Sequence, residues 1–85
     1  MRRISPRPWI NGSSAERLVD QMMTVHRALE AAAQEMRHWQ PHGRDYQIGG
    51  DYTADHAEYI RRLRLVEELA AQYESEAYSI SKQEV

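Results

Sequence analysis

The chain has 85 residues, of which 41% are hydrophobic and 28% are charged, and its formal net charge is −2 at pH 7. No apolar run approaches the roughly 18 residues that span a bilayer, so the composition excludes a membrane-spanning helix. The absence of cysteine excludes disulfides, cysteine-bound zinc and a cysteine nucleophile. Since a chain this short buries only about 60–65% of its unfolded surface, we expect a thin core that helix packing or self-association completes.

Residues 1–12 are predicted to form an extended basic arm, because they combine prolines with an Asn-Gly turn signal. The basic residues of the first ten are Arg2, Arg3 and Arg7, without an acidic residue. Ser13 and Glu16 then match a capping box, which predicts the start of a helix. Residues 13–85 are therefore expected to form a single helical-hairpin domain.

A first helix is predicted over about residues 14–40. Its apolar residues recur at alternating spacings of four and three, which is the heptad pattern of a helix that packs along one seam. These residues are Leu18, Met22, Val25, Leu29, Ala32, Met36 and Trp39. Pro41 and Gly43 end the pattern, since proline removes a helical hydrogen bond.

A glycine-rich loop over residues 41–52 is predicted to join this helix to a second one over about 54–80, with Thr53 as the N-cap. The second helix repeats the alternating spacing of four and three. Its seam residues are Tyr59, Leu63, Val66, Ala70, Tyr73, Ala77 and Ile80. Two seams of equal length predict an all-α fold, an antiparallel two-helix hairpin.

Several apolar residues lie outside both predicted seams. They are Val19, Met23, Ile60, Leu65 and Leu69. A two-helix hairpin hides one stripe per helix, so these residues predict a homo-oligomer, most simply a dimeric four-helix bundle, with a ring or tetramer of hairpins as the alternative.

The chain contains no complete catalytic pattern. Its serines lie at helix ends or near the carboxyl end, away from any histidine–acid pair, and no phosphate-binding glycine loop occurs. Glu35 and His38 have the Glu-x-x-His spacing of di-iron bundles, but no second copy exists. The remaining candidates for metal binding are His38, His42, Asp45 and His56, near the loop. Histidines in polar turns are more often solvated, so we predict no metal, no cofactor and no enzymatic activity.

The loop and its flanks form the best candidate ligand site, because cations and aromatic rings converge there. The predicted ligand-binding residues are Arg37, Trp39, His42, Arg44 and Tyr46. Arginine forks bind phosphates and aromatic planes stack on bases, so this mixture suits a small nucleotide. Nearby acidic residues make long nucleic acids unfavourable partners. The alternative interpretation is that the aromatic rings only close the end of the bundle.

The segment Pro41-His-Gly-Arg-Asp-Tyr46, followed by a glycine-rich gap and a helix, resembles small phage and prophage helical-hairpin proteins. Their shared element is His-x-Arg-(Asp or Asn)-Tyr before the second helix, here His42, Arg44, Asp45 and Tyr46. The resemblance covers about residues 29–80. It implies a phage accessory protein of a class that includes anti-CRISPR proteins, which block a protein surface, and helical sponges, which sequester cyclic-nucleotide immune signals.

These observations lead to two main hypotheses, both of a non-enzymatic protein in the cytoplasm of the host cell. The first is an oligomeric sponge that sequesters a cyclic-nucleotide immune signal. The alternative is a protein-surface inhibitor, such as an anti-CRISPR protein or an adaptor, that contacts a host defence protein through an acidic face of the second helix. The residues of that face are Glu67, Glu68, Glu74 and Glu76. A third possibility is a virion component that binds DNA through the basic arm.

Overall fold

In a computed structural model, which describes residues 1–7 and 12–82, two helices pack antiparallel and no strand occurs among the described residues. α1 spans Gly12–His38 and α2 spans Tyr52–Ser81, with a 3-10 turn at Gly43–Tyr46 between them. The predicted all-α hairpin is confirmed, with helix boundaries that differ by one or two residues from the predicted ones. Neither helix carries a stretch long and apolar enough to cross a membrane, in the part of the chain described.

The two helices end and begin at positions that local chemistry explains. The Trp39 N–H donates to the Glu35 carbonyl at 3.3 Å, and the buried Pro41 then prevents further helical hydrogen bonds. The N-cap of α2 is Asp51, whose carboxylate accepts the Ala54 N–H at 3.0 Å. The predicted cap at Thr53 is therefore wrong, because aspartate satisfies the first free N–H groups two residues earlier.

The hairpin is a single layer with extents of 61 × 21 × 12 Å, so its smallest dimension is about the diameter of one helix. Its core is confined to the line along which the helices touch. The largest buried cluster lies at the end away from the loop and consists of Ala15, Met22, Ala77 and Ile80. The core is therefore thin, as the length of the chain predicts.

The seam of α2 is confirmed by burial. Tyr59, Ala70, Ala77 and Ile80 are buried, and Leu63, Val66 and Tyr73 are half-buried. Small alanines on this seam allow the two helix backbones to approach closely.

The seam of α1 differs from the predicted one at alternate positions. The observed seam is Ala15, Val19, Met22, His26, Leu29, Ala33 and Met36, all buried or half-buried. Met22, Leu29 and Met36 belong to both seams, whereas the predicted Val25, Ala32 and Trp39 are exposed. The physical reason is His26: it joins the seam although it is polar, because both of its ring nitrogens find partners there.

Residues 1–7 have no regular secondary structure and lie beside the second half of α2. The Ile4 N–H donates to the carboxylate of Glu76 at 2.7 Å, and Arg3 donates to the hydroxyl oxygens of Ser75 at 3.1 Å and Ser79 at 2.8 Å. Residues 8–11 of the predicted arm lie outside the described residues, as does the side chain of Ser13, the N-cap of the predicted capping box.

Candidate functional site

An open cleft of about 350 Å³ lies at the loop end of the hairpin. It is lined by Met36, Trp39, Pro41, Tyr46, Asp55, Glu58, Tyr59 and Arg62. The aromatic and apolar side chains form its walls, and three charged side chains add polar groups. This composition is typical of a small-molecule site, where apolar walls surround a few polar groups that orient the ligand.

A row of rings organises this end of the molecule. The ring centroids of Tyr46 and Tyr52 are 5.5 Å apart, those of Tyr52 and His56 are 5.6 Å apart, and those of His56 and Tyr59 are 6.2 Å apart. Because Tyr52, His56 and Tyr59 are spaced by four and three, they follow one side of the start of α2. The loop turn adds Tyr46 at the end of the row.

Tyr59 connects the cleft to the end of α1. Its hydroxyl donates to the carbonyl of Met36 at 2.9 Å. This carbonyl is one of the last four of α1, which have no helical partner of their own. Tyr59 is buried, so it both closes the bundle, as the alternative interpretation of the tip aromatics expected, and forms one wall of the cleft.

Tyr46 is held in the cleft by the loop and by α2. Its hydroxyl donates to the carboxylate of Asp55 at 2.7 Å, and this hydrogen bond is the main reason that the pKa of Tyr46 rises from 10.0 to about 12. Gly50 makes the arrangement possible: its φ is +99°, and a Cβ there would lie 2.9 Å from the Tyr46 ring. The loop closes beside the ring because glycine has no side chain.

Glu58 and two arginines set the charge along α2 beside the cleft. The Glu58 carboxylate accepts hydrogen bonds from Arg61 at 2.7 Å and 2.9 Å and from Arg62 at 2.7 Å. These bonds, first those from Arg61, lower the pKa of Glu58 from 4.5 to about 2. Glu58 therefore stays ionised at any physiological pH, and Arg62 brings a partly neutralised cation to the cleft.

The structure brings some of the predicted ligand-binding residues together and separates others. Trp39 and Tyr46 both line the cleft, and Trp39 is 74% exposed. His42 and Arg44 are exposed on the loop but do not line it. Arg37 lies on the other flank of α1, where it forms a salt bridge with Glu67 of α2.

That other flank is a polar groove lined by His26, Glu30, Ala33, Arg37, Glu67, Ala70, Ala71 and Glu74. His26 Nδ1 lies 2.6 Å from the carbonyl oxygen of Ala70, an acceptor, so Nδ1 carries a hydrogen. Its Nε2 lies 2.8 Å from a Glu30 oxygen and 3.6 Å from a Glu74 oxygen. The groove is therefore lined by polar side chains that pair with one another, within α1 for His26 and Glu30 and between the helices for Arg37 and Glu67.

The four carboxylates of the predicted acidic face do not share one surface. Glu67 and Glu74 border the polar groove, and Glu68 is exposed on another side of α2. Glu76 is only 2% exposed and accepts hydrogen bonds from the Ile4 N–H and from Gln72. Its carboxylate is accordingly inaccessible to a partner in this conformation.

The predicted ligand-binding residues do not include the charged half of the cleft. Asp55, Glu58 and Arg62 lie within the first three turns of α2 and line the cleft with the aromatic rings. Their spacings of three and four were the available signal, because residues spaced in this way share a face of a helix.

No group of three or more histidine and acidic side chains in residues 1–7 and 12–82 is arranged to hold a metal ion. His38 and Glu35 come within 3.7 Å of each other at the end of α1, as a pair only. The chain matches no family model, no curated protein and no solved structure.

Proposed function

We propose that this chain is a non-enzymatic binding protein whose hairpins associate and whose loop-end cleft captures the base of a small nucleotide. The observation that carries the proposal is the cleft itself, where the exposed Trp39 and the ring of Tyr46 flank a volume of about 350 Å³. A planar base gains about 1–3 kcal/mol from stacking on an aromatic side chain.

The polar groups of the cleft suit a base that carries amino groups. The carboxylates of Asp55 and Glu58 accept hydrogen bonds, and each has lone pairs beyond those used by Tyr46 and the arginines. The exocyclic amino group of adenine, cytosine or guanine supplies matching donors. Arg62 is the cation among the described lining residues, and it takes the phosphate-binding role for which Arg37 was predicted.

The wider setting of the proposal comes from the resemblance at residues 41–46. On this basis we propose that the protein is a phage accessory protein. It acts in the cytoplasm of the host cell and sequesters a cyclic-nucleotide immune signal. The extended basic arm at residues 1–12 and the assembly of hairpins belong to the same proposal. Each bound ligand is withdrawn stoichiometrically, so high affinity rather than turnover determines the effect.

A thermal-shift measurement on the full chain with mononucleotides and cyclic dinucleotides tests the proposal. A ligand at 100 times its dissociation constant stabilises by about 2.7 kcal/mol, which raises the melting temperature of a small domain by several degrees. Tyr46→Ala is expected to weaken the binding of that nucleotide by about 10- to 100-fold.

Tyr78→Ala is the matched control, because Tyr78 is also accessible, at 61% exposure, and lies near the opposite end of α2. This variant is expected to bind as the wild type does. The proposal fails if no nucleotide shifts the melting temperature, or if the two tyrosine variants lose the same amount of affinity.

A further inference from the structure

One flank of the hairpin carries an apolar stripe. It is made of Leu18, Val25 and Ala32 of α1, Trp39 directly after α1, and Leu65 and Leu69 of α2. Val25 is 39% exposed and Leu65 is 43% exposed, Ala32 and Trp39 are also exposed, and Leu18 and Leu69 are half-buried. The observed seam leaves these side chains partly or fully in solvent. Four of them occupy one heptad position of α1, seven residues apart.

The two halves of the apolar stripe lie on the same side of the molecule. Trp39 and Arg62 line the same cleft, so the side of α1 that leads to Trp39 adjoins the side of α2 that carries Arg62. Leu65 and Leu69 follow Arg62 at spacings of three and four, so they continue its flank along α2. The stripe therefore runs along one side of the hairpin, from Leu18 near the start of α1 to the cleft.

The apolar stripe carries no charge on α1, in contrast to the opposite flank. Between residues 18 and 39, no charged residue occupies the heptad position of Val25 or the shared position of Met22, Leu29 and Met36. The opposite flank contains the Arg37–Glu67 and His26–Glu30 pairs. One side of the hairpin is thus suited to water and the other to an apolar partner.

The exposed area of the chain is larger than that of a compact folded monomer of the same mass. Its accessible surface is 6766 Å² at a mass of 10.0 kDa. A folded monomer of that mass exposes about 5,200 Å², so the excess is about 1,500 Å² per chain. Two copies that bury this excess against each other would hide about 3,000 Å², within the range of about 2,000–5,000 Å² for obligate homodimers.

We infer that a second copy of this chain covers the apolar stripe, across a two-fold axis, so that the active form is a dimeric four-helix bundle. A two-fold interface places the same patch of both chains together, and the six uncharged side chains of the stripe meet their own copies without burying like charges. Arg62, at the edge of the stripe, is already paired with Glu58. The exposed Trp39 then lies at the subunit boundary, beside the cleft. The inference rests on the self-association in the proposed function but does not require that a nucleotide binds.

Sedimentation equilibrium of the full chain across the micromolar range tests the inference. The wild type is expected to have twice the chain mass of 10.0 kDa. Ala32→Glu puts a carboxylate into the stripe and is expected to weaken dimerisation by at least about a hundredfold, because a buried unpaired charge costs several kcal/mol. Ala31→Glu is the matched control, since Ala31 is exposed and lies one position away from the stripe, about 100° around the helix.

The inference requires that Ala31→Glu remains dimeric and that Ala32→Glu becomes monomeric while it keeps its helical circular dichroism spectrum. A wild-type chain that stays monomeric contradicts it, and so does a dimer that both substitutions leave intact or both dissociate. A wild-type dimer that no nucleotide stabilises contradicts the proposed ligand only, so the two failures are distinguishable.

Discussion

Glu76 is a carboxylate at a position where an apolar side chain normally lies. A buried carboxylate is unfavourable unless its oxygens accept hydrogen bonds. Here one oxygen accepts the Ile4 N–H at 2.7 Å and the Gln72 amide at 3.1 Å. The same carboxylate therefore attaches residues 1–7 to α2, and it couples the beginning of the chain to the hydrophobic core at the far end of the hairpin.

Glu76→Ala is expected to destabilise the fold by about 2–3 kcal/mol, because it leaves two donors without their acceptor and a gap in a buried position. Urea unfolding followed by circular dichroism measures the loss. Glu68→Ala is the control: Glu68 is exposed on the same helix, and its loss is expected to stay within about 0.5 kcal/mol. Equal effects of the two substitutions would show that Glu76 has no structural role.

Tyr46 offers a spectroscopic test of the loop-end geometry. Its pKa of about 12 lies above the ordinary 10.0, so the folded chain holds the phenolic proton more tightly than the unfolded chain does. The hydrogen bond to Asp55 therefore stabilises the fold below pH 10, and its contribution is lost as the pH rises towards 12. The difference in near-ultraviolet absorbance between the wild type and Tyr46→Phe isolates this titration.

Asp55→Ala is expected to move the titration of Tyr46 back towards 10.0, because Asp55 provides the hydrogen bond that is the largest cause of the raised pKa. Asp45→Ala removes only a weaker charge interaction and is expected to leave the titration close to 12. If Asp55→Ala leaves the titration unchanged, the hydrogen bond that positions Tyr46 in the cleft is absent in solution.

The loop between the helices contains two adjacent glycines with different roles. Gly50 has φ +99°, and a Cβ there would meet the ring of Tyr46, whereas a Cβ at Gly49 would meet open space. Gly50→Ala is therefore expected to destabilise the fold by about 1–2 kcal/mol, and Gly49→Ala to change it by less than about 0.5 kcal/mol, in thermal or urea unfolding. Equal stabilities of the two variants would contradict this loop conformation.

The two helices differ in how well their sequence predicts their packing. On α2 every seam position is apolar, so the spacing identifies the buried face correctly. On α1 two heptad patterns overlap, and the pattern with more large apolar residues, through Val25 and Trp39, is the exposed one. The buried pattern passes through His26, whose ring nitrogens contact the Ala70 carbonyl and Glu30. The contact with the Ala70 carbonyl forms only when the two helices pack, so the spacing of apolar residues along the sequence does not predict it.

The same ambiguity explains which parts of the cleft could be predicted. Trp39 and Tyr46 were expected at a ligand site, since aromatic residues beside a predicted loop are visible in the sequence. Arg37 was assigned to the same site because it is close in sequence. The corrected register turns it to the opposite flank, towards Glu67. Asp55 and Arg62 were not assigned to the site, although they line the cleft. The packing of the two helices is what turns their side of α2 towards it.

For the molecule as a whole, the inferred dimerisation through the apolar stripe makes the stability of the fold depend on the protein concentration. The single-layer hairpin has a core one helix contact wide, and a second copy would add a second layer on the side of the apolar stripe. A protein that unfolds from a dimer to two chains has a melting temperature that rises with protein concentration, since association favours only the folded state.

A tenfold increase in concentration corresponds to about 1.4 kcal/mol, and the melting temperature of a folding unit of two chains shifts by about 2–4 °C per kcal/mol. The wild-type melting temperature is therefore expected to rise by about 3–6 °C for each tenfold increase in concentration. Differential scanning calorimetry over two decades of concentration measures the slope. Ala32→Glu is expected to melt at a lower temperature that does not depend on concentration, and Ala31→Glu to keep the wild-type slope. A wild-type melting temperature independent of concentration would mean that the hairpin folds alone, despite its large exposed apolar surface.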